Sequence, residues 1–326
     1  MSRIISAVPP ESWDEQVKKL GGHLFQSRIW AEFQLAQGRT VQYAAAGDDR
    51  WNWLGALRVG RGGIRYLYAS YGPTVAAGAL AEAVSSMRHA GRDLGADFLR
   101  LEPLGHVSPA EITALGGRHV ADMQPRHQLV LDIAPTEAEL RHAISPSNRN
   151  LINTAEKRGL SFVVSSDPSL LSEYLAMQRE TATHGGFKPH PDSYYEKLVE
   201  TLLPTAAAHL YFAYYEGKPV ASAICIDFAG TRYYVYAATY LELNRRLKAA
   251  VALLWWMILD AKAHGLTKFN YGGVAPDDQP NHPWAGHTRF KRSIGGEIVS
   301  SVGTWEIPLK PAKYQLYRFA NKVLRK

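Results

Sequence analysis

The chain has 326 residues, 46% apolar and 21% charged, which supplies a sizeable core and excludes a disordered polymer. A single cysteine, Cys225, excludes a disulfide framework and a cysteine-built zinc site. A formal net charge of +7 favours anionic partners: nucleic acid, nucleotide phosphates or an acidic membrane face.

The positive excess is uneven, with nine Lys and Arg from residue 289 to 326 against Glu297 and Glu306, and a solvated basic tail is the alternative reading. Residues 1–10 lack the apolar core of a secretion signal. The longest apolar run, 249–259, is closed by Lys248 and Asp260 and is too short to span a bilayer. A cytoplasmic monomer without stable membrane insertion is expected.

In chain order, 13–20 and 30–36 have helical periodicity, 43–46 and 53–59 read as strands, and the Gly-rich turn 60–63 leads to a strand at 64–69. A helix at 76–95, a strand at 98–101 closed by Glu102-Pro103, and a strand at 128–133 follow. The second half repeats the flavour. Helices at 136–143 and 148–158 are separated by Ser145-Pro146, with Gly159 as a cap, and a strand follows at 161–164. Helices at 170–183 and 194–203 precede strands at 209–215, 221–228 and 232–238. A long helix at 247–264 and a strand at 269–271 ending in Gly272-Gly273 complete the series. Two successive α+β units of similar size suggest a duplicated fold with a ligand cleft between the halves. Cys225, in an alternating apolar stretch, reads as a buried strand thiol.

No phosphate loop, H-E-x-x-H motif or G-x-S-x-G nucleophile elbow is present, and the twelve histidines form no cluster with metal-ligand spacing. No metal and no cofactor are expected. An acetyl-CoA enzyme needs a glycine turn before a helix to cradle the pyrophosphate. The matching stretch, Asn244-Arg245-Arg246-Leu247-Lys248-Ala249-Ala250, has no glycine, which argues against CoA as donor.

Several pieces of the chain carry a resemblance. They are Phe25-Gln26-Ser27-x-x-Trp30, Leu99-Arg100-Leu101-Glu102-Pro103, Gln124-Pro125-Arg126, and Tyr233-Tyr234-Val235-Tyr236-Ala237-Ala238-Thr239. Leu254-Trp255-Trp256-Met257-Ile258, Phe269-Asn270-Tyr271-Gly272-Gly273 and Arg289-Phe290-Lys291-Arg292-Ser293-Ile294-Gly295-Gly296 follow in order. Together they resemble the Fem (FemABX-type) family of peptidoglycan-bridge aminoacyltransferases, in its short form without a coiled-coil arm. The resemblance implies an α+β fold of two N-acetyltransferase-like (GNAT-like) domains packed around a cleft, with the C-terminal helix returning to domain 1. Domain 1 is then 1–143 plus 307–326, binding the acceptor precursor, and domain 2 is 144–306, on the aminoacyl-tRNA side. The implied reaction moves an amino acid from aminoacyl-tRNA to an amine of a nucleotide- or lipid-linked muramyl pentapeptide.

The resemblance also implies site residues. Lys291 stands where the family lysine lies by the tRNA acceptor end, placed to steady the tetrahedral oxyanion, and Phe290 shapes the pocket for the terminal adenosine. Arg28 and Trp30 match a basic-x-Trp pair that holds a nucleotide diphosphate. His184 replaces the family's phosphate-binding arginine, with Lys188 able to supply the charge. Tyr236 matches a cleft tyrosine, although alternation of 234, 236 and 238 on one face gives a core role equally well. Glu102 matches an acidic position suited to a general base, or else caps a loop. An exposed surface lysine, and a helix-start arginine beside a core tryptophan, are the plainer readings of Lys291 and of Arg28 with Trp30.

At the C-terminus, Ala312, Leu316, Phe319, Ala320, Val323 and Leu324 recur at helical spacing among basic residues. Docking of this stripe on the first domain is expected, with an anionic membrane as the other possible resting place. Two other functions fit the same features: a Fem-like N-acyltransferase with a different amine acceptor, and a non-catalytic tRNA- or anion-binding module.

Overall fold

A computed structural model describes residues 7–276, 279 and 281–323. Contacts divide the chain into two units, residues up to 126 with those from 300 onward, and residues 127–299.

In the first unit, α1 (Trp13–Lys19), α2 (Arg28–Ala36), α3 (Leu80–Asp93) and α4 (Pro109–Ala114) accompany the first seven strands of an eight-stranded sheet. These are β1 (Val41–Ala45), β2 (Trp51–Val59), β3 (Arg65–Ala69), β4 (Thr74–Val75), β5 (Phe98–Leu101), β6 (Leu104–Gly105) and β7 (Arg118–His119). The sheet runs β6-β4-β2-β3-β5, with β1 paired to β2. Trp53, Leu67, Leu99 and Leu101 of its strands pack with Leu80, Val84 and Met87 of α3, all of them buried. At the start of α2 the Ser27 Oγ accepts from the Trp30 amide (3.2 Å), satisfying an otherwise unpaired donor.

The second unit contains β8 (His127–Asp132), α5 (Glu137–Ala143), α6 (Pro146–Asn153), β9 (Leu160–Ser165), α7 (Leu171–Gly185) and α8 (Asp192–Leu202). There follow β10 (Ala208–Tyr215), β11 (Lys218–Phe228), β12 (Thr231–Thr239), α9 (Leu241–Leu247), α10 (Ala249–Ala263), β13 (Lys268–Gly273), α11 (Ala285–Arg292) and β14 (Glu297–Ser300). Its sheet runs β14-β8-β13-β12-β11-β10-β9. The apolar run read in the sequence is α10, buried nearly all round against this sheet, as a helix without a polar face must be. Cys225 is fully buried with its Sγ 3.7 Å from Met257 Sδ, and burial pushes its thiol up, so it is a packing group. No helix among the described residues is long and apolar enough to cross a membrane.

The domain boundaries differ from those read in the sequence. Strand β8 pairs with β13, Leu131 opposite Phe269, so the second unit begins at 127 rather than 144. The chain returns to the first unit from 300 rather than 307, because β15 (Trp305–Pro308) inserts between β5 and β7.

After β15 comes α12 (Pro311–Val323), which contacts the first unit but not by the expected stripe. Tyr314 is fully buried; its ring packs 5.4 Å from Phe98, its hydroxyl donates to Glu306 (2.8 Å), and Tyr317 stacks on the same Phe98. Glu306 is also paired with Arg100, whose guanidinium lies over the Tyr66 ring at 4.4 Å. Leu316 and Phe319 are both 68% exposed, and Leu324 lies outside the described residues. The tyrosine face wins because it buries aromatic area and also satisfies a buried carboxylate, which a Leu/Phe ridge cannot do. Tyr314→Ala is therefore expected to cost roughly 3–5 kcal/mol of stability, the range for deleting a buried aromatic. Leu316→Ala should shift stability by less than about 0.5 kcal/mol. Urea denaturation of the two variants checks this, and equal losses would contradict the assigned face.

Candidate active site

Strands β12 and β13 are parallel neighbours over only three pairs, Thr231 with Lys268, Arg232 with Phe269 and Tyr233 with Asn270. Beyond Tyr233 the β12–β13 ladder stops, although β12 continues to Thr239 on its β11 side. Register irregularities lie beside this opening, at Ile224/Cys225 on β11 and Asn270/Gly272 on β13. The first has a consequence for side-chain direction: Tyr236 opposes Ile224 while Tyr234 opposes Cys225, so the two tyrosines leave opposite faces of the sheet. The alternation read at 234, 236 and 238 is broken here. Tyr234 joins the core beside Cys225, whereas Tyr236 turns to α8, its hydroxyl 2.7 Å from that of Tyr194 and its ring 5.2 Å from Tyr195. Burial pushes the Tyr236 hydroxyl well above the usual tyrosine range, so it stays neutral.

Lys291 lies in the last turn of α11, and its Nζ donates to the carbonyl of Gly273 (2.6 Å) at the end of β13. Gly272 has φ +74°, a left-handed conformation suited to glycine, and its amide donates to the Asn270 side chain (2.8 Å). Helix α11 is fixed to this turn by Thr288, whose hydroxyl accepts from the Ala275 amide (2.8 Å), and to α6 by Asn148 and Ser293 (2.5 Å). Among the described residues Lys291 has no carboxylate partner. Burial alone lowers its ammonium to about 8, from 10.5. An ammonium carries three donors, so two remain beyond the Gly273 bond. That is a cation at a glycine turn with capacity to meet a developing negative charge.

The other predicted residues lie in different surroundings. Phe290, next to Lys291, is half-buried against the second unit's core. His184 is exposed in the last turn of α7, where carbonyl dipoles disfavour an anion, and exposed Lys188 follows beyond the Gly186 cap. In the first unit Trp30 is buried and stacked on Phe25 at 4.1 Å. Arg28 is already engaged, its Nε donating to the Pro9 carbonyl (3.0 Å) and its guanidinium paired with Glu32 (3.1 Å). Glu102, 2% exposed, accepts from the Tyr68 hydroxyl, the Tyr71 and Gln124 amides and the Thr304 hydroxyl. Both its oxygens are occupied, so the geometry favours the loop-fastening role over that of a base. Sequence reasoning missed Tyr194, Tyr195 and Thr288, which no motif marks.

The segment before α10 bears on the donor. Residues 241–247 form α9, and Lys248 takes a left-handed conformation (φ +51°) before α10 begins. The Asn244 Oδ1 accepts from the Ala250 amide (2.9 Å), and the Lys248 carbonyl accepts from Val251 (3.2 Å). Amides that would cradle a pyrophosphate at this helix start are thus already bonded within the chain.

Residues 147–292 match the family model for an acetyltransferase (GNAT) domain. The crystal structure of FemX superposes with a TM-score of 0.80 at 18% identity, covering 95% of this chain and 98% of that one. The lipid II:glycine glycyltransferase of Staphylococcus saprophyticus subsp. saprophyticus is 23% identical over 288 residues, 69% of this chain and 68% of the relative. Aminoacyltransferase FemA of Staphylococcus epidermidis is 27% identical over 88 residues, which span 27% of this chain and only 21% of that relative. Fold and opened sheet define a protein of the GNAT-like class, built from two such domains. Within that class its similarity is to Fem proteins, through the FemX fold and the FemA and glycyltransferase relatives.

The lowered affinity of Lys291 for its proton makes a stability prediction. Its folded value, about 8, is below the unfolded 10.5, so the buried charge costs stability below pH 8 and that cost fades as pH rises towards 10.5. Lys291→Met is therefore expected to leave the melting temperature unchanged or raised at pH 7, with any advantage shrinking by pH 10. Scanning calorimetry at both pH values checks it; a lower melting temperature at pH 7 would mean that the ammonium holds the fold together.

Proposed function

We propose that the chain is a tRNA-dependent aminoacyltransferase, moving an amino acid onto an amine of a muramyl pentapeptide in peptidoglycan bridge synthesis. The observation that carries this reading is Lys291: a largely desolvated ammonium without a carboxylate partner among the described residues, at the glycine turn of an opened GNAT-like sheet. The acceptor amine attacks the ester carbon of the aminoacyl-tRNA. A C–N bond forms, the bond to the ribose oxygen breaks, and the proton lost by the amine passes to that oxygen. The ester is already activated, so positioning and oxyanion stabilisation suffice and no enzyme nucleophile is required. Lys291 steadies the tetrahedral oxygen, and Phe290 borders the same turn of α11. The bonded amides at the start of α10 support a donor other than a CoA thioester. Names among the relatives, a glycyltransferase on lipid II and an aminoacyltransferase, agree with this class.

Incubation with a pool of charged tRNAs and nucleotide- or lipid-linked muramyl pentapeptide, read by mass spectrometry, is expected to show one added residue, with acetyl-CoA inert. Lys291→Ala should lower turnover about 10²–10³-fold in a folded protein. The wild-type rate should fall above about pH 8, where Lys291 loses its proton. Efficient acetyl transfer, or full activity in the variant, would sink the proposal.

One observation favours a second reading, transfer to a different amine acceptor. Arg28 is held by Glu32 and the Pro9 carbonyl, which weakens the case for a diphosphate at that position. Arg28→Ala is expected to change the acceptor KM by less than about twofold. A large rise in KM with kcat preserved would restore Arg28 as a phosphate ligand.

A further inference from the structure

The α12 helix has two faces, and only one is used. Successive residues turn by ~100°, which places Ala312, Leu316, Phe319 and Ala320 on a ridge opposite Tyr314 and Tyr317. The tyrosine face is docked, and the ridge projects into solvent with Leu316 and Phe319 at 68% exposure. Basic residues border the ridge: Arg318 and Lys322 on one flank, and on the other Lys313, whose Nζ pairs with Asp97 (2.9 Å). Residues 309–326 hold six Lys and Arg and no acidic residue.

Beside the ridge lies a groove of about 640 Å³, entirely within the first unit, bordered by Arg318, Phe319, Lys322, His119 and Met123. Met123 is 49% exposed, so a second apolar side chain besides Phe319 lines the groove. The groove thus offers cations and apolar edges together, the pair of features that suits a phospholipid: phosphate against Arg318 and Lys322, chain carbons against Phe319 and Met123.

We propose that α12 is a peripheral docking surface for an anionic phospholipid bilayer, lying in the plane of the interface with Leu316 and Phe319 immersed. Charge complementarity selects this occupant over a second copy of the chain, since ridge-to-ridge pairing would bring Arg318 and Lys322 of two molecules together without acidic partners. The inference rests on the helix and the groove beside it, and it is read by binding, without any acyl donor or acceptor.

The test is co-sedimentation of the full chain with vesicles of phosphatidylcholine containing phosphatidylglycerol, against vesicles of phosphatidylcholine only. Binding to the mixed vesicles alone, weakening with added salt, is expected. Leu316→Glu with Phe319→Glu, and separately Arg318→Gln with Lys322→Gln, should each reduce it at least roughly tenfold with an unchanged melting temperature. Absence of wild-type binding, equal binding to both vesicle types, or undiminished binding by the glutamate variant would overturn the proposal. So would a concentration-dependent dimer, seen by sedimentation velocity, that the glutamate variant abolishes while vesicles never bind.

Discussion

Arg232 is the residue around which the second unit is organised. It is fully buried on β12, donates to Asp227 of β11 (2.7 and 2.8 Å), pairs with Asp260 of α10 and reaches the Met257 carbonyl (3.3 Å). Tyr211 of β10 donates to the same Asp260 (2.6 Å). A buried guanidinium stripped of one carboxylate costs about 3–5 kcal/mol, so the four elements cannot drift independently. Arg232 also stands within the short parallel pairing, opposite Phe269. The strands are therefore locked together at one end, and the sheet opens only past Tyr233. The opening that leads to Gly273 and Lys291 depends on that clamp below it.

Two local features bear on the proposed chemistry. Asn244 uses its side chain to bond the Ala250 amide at the start of α10, removing one donor that would otherwise be open to phosphate. Among the described residues, Lys291 gains a backbone carbonyl rather than a carboxylate as partner. A salt-bridged lysine would be neutralised in advance, whereas this one keeps most of its charge for a ligand and holds its proton less tightly.

Much of this was legible in the sequence. Periodicity gave α1 to α3, α5 to α8 and α10 within a few residues, while the short helices α4 and α9 were not read. Lys291 was singled out by resemblance, and its surroundings suit the role. What was not legible depended on pairing across long separations. The membership of β8 in the second sheet, the insertion of β15 and the one-residue irregularity that turns Tyr236 away from Tyr234 are set by partners far along the chain. Arg28 and Glu102 show the same limit for sites. Their types suited phosphate binding and base catalysis, but Glu32 and Pro9, or four donors around one carboxylate, already occupy them. On α12 the stripe pattern was correct and its use was not, because Tyr314 offers Glu306 a hydrogen bond that no aliphatic side chain can.

The insertion of β15 sets a timetable for a chain made from its N-terminus onward. The edge of β5 receives its neighbour only when Trp305 to Pro308 have left the ribosome, with the whole second unit translated in between. At roughly 5–20 residues per second that delay is on the order of 10–40 s, long for an exposed apolar strand edge in a crowded cell. The second unit has all its strands by residue 300 and can close first. The half synthesised first is thus the half completed last.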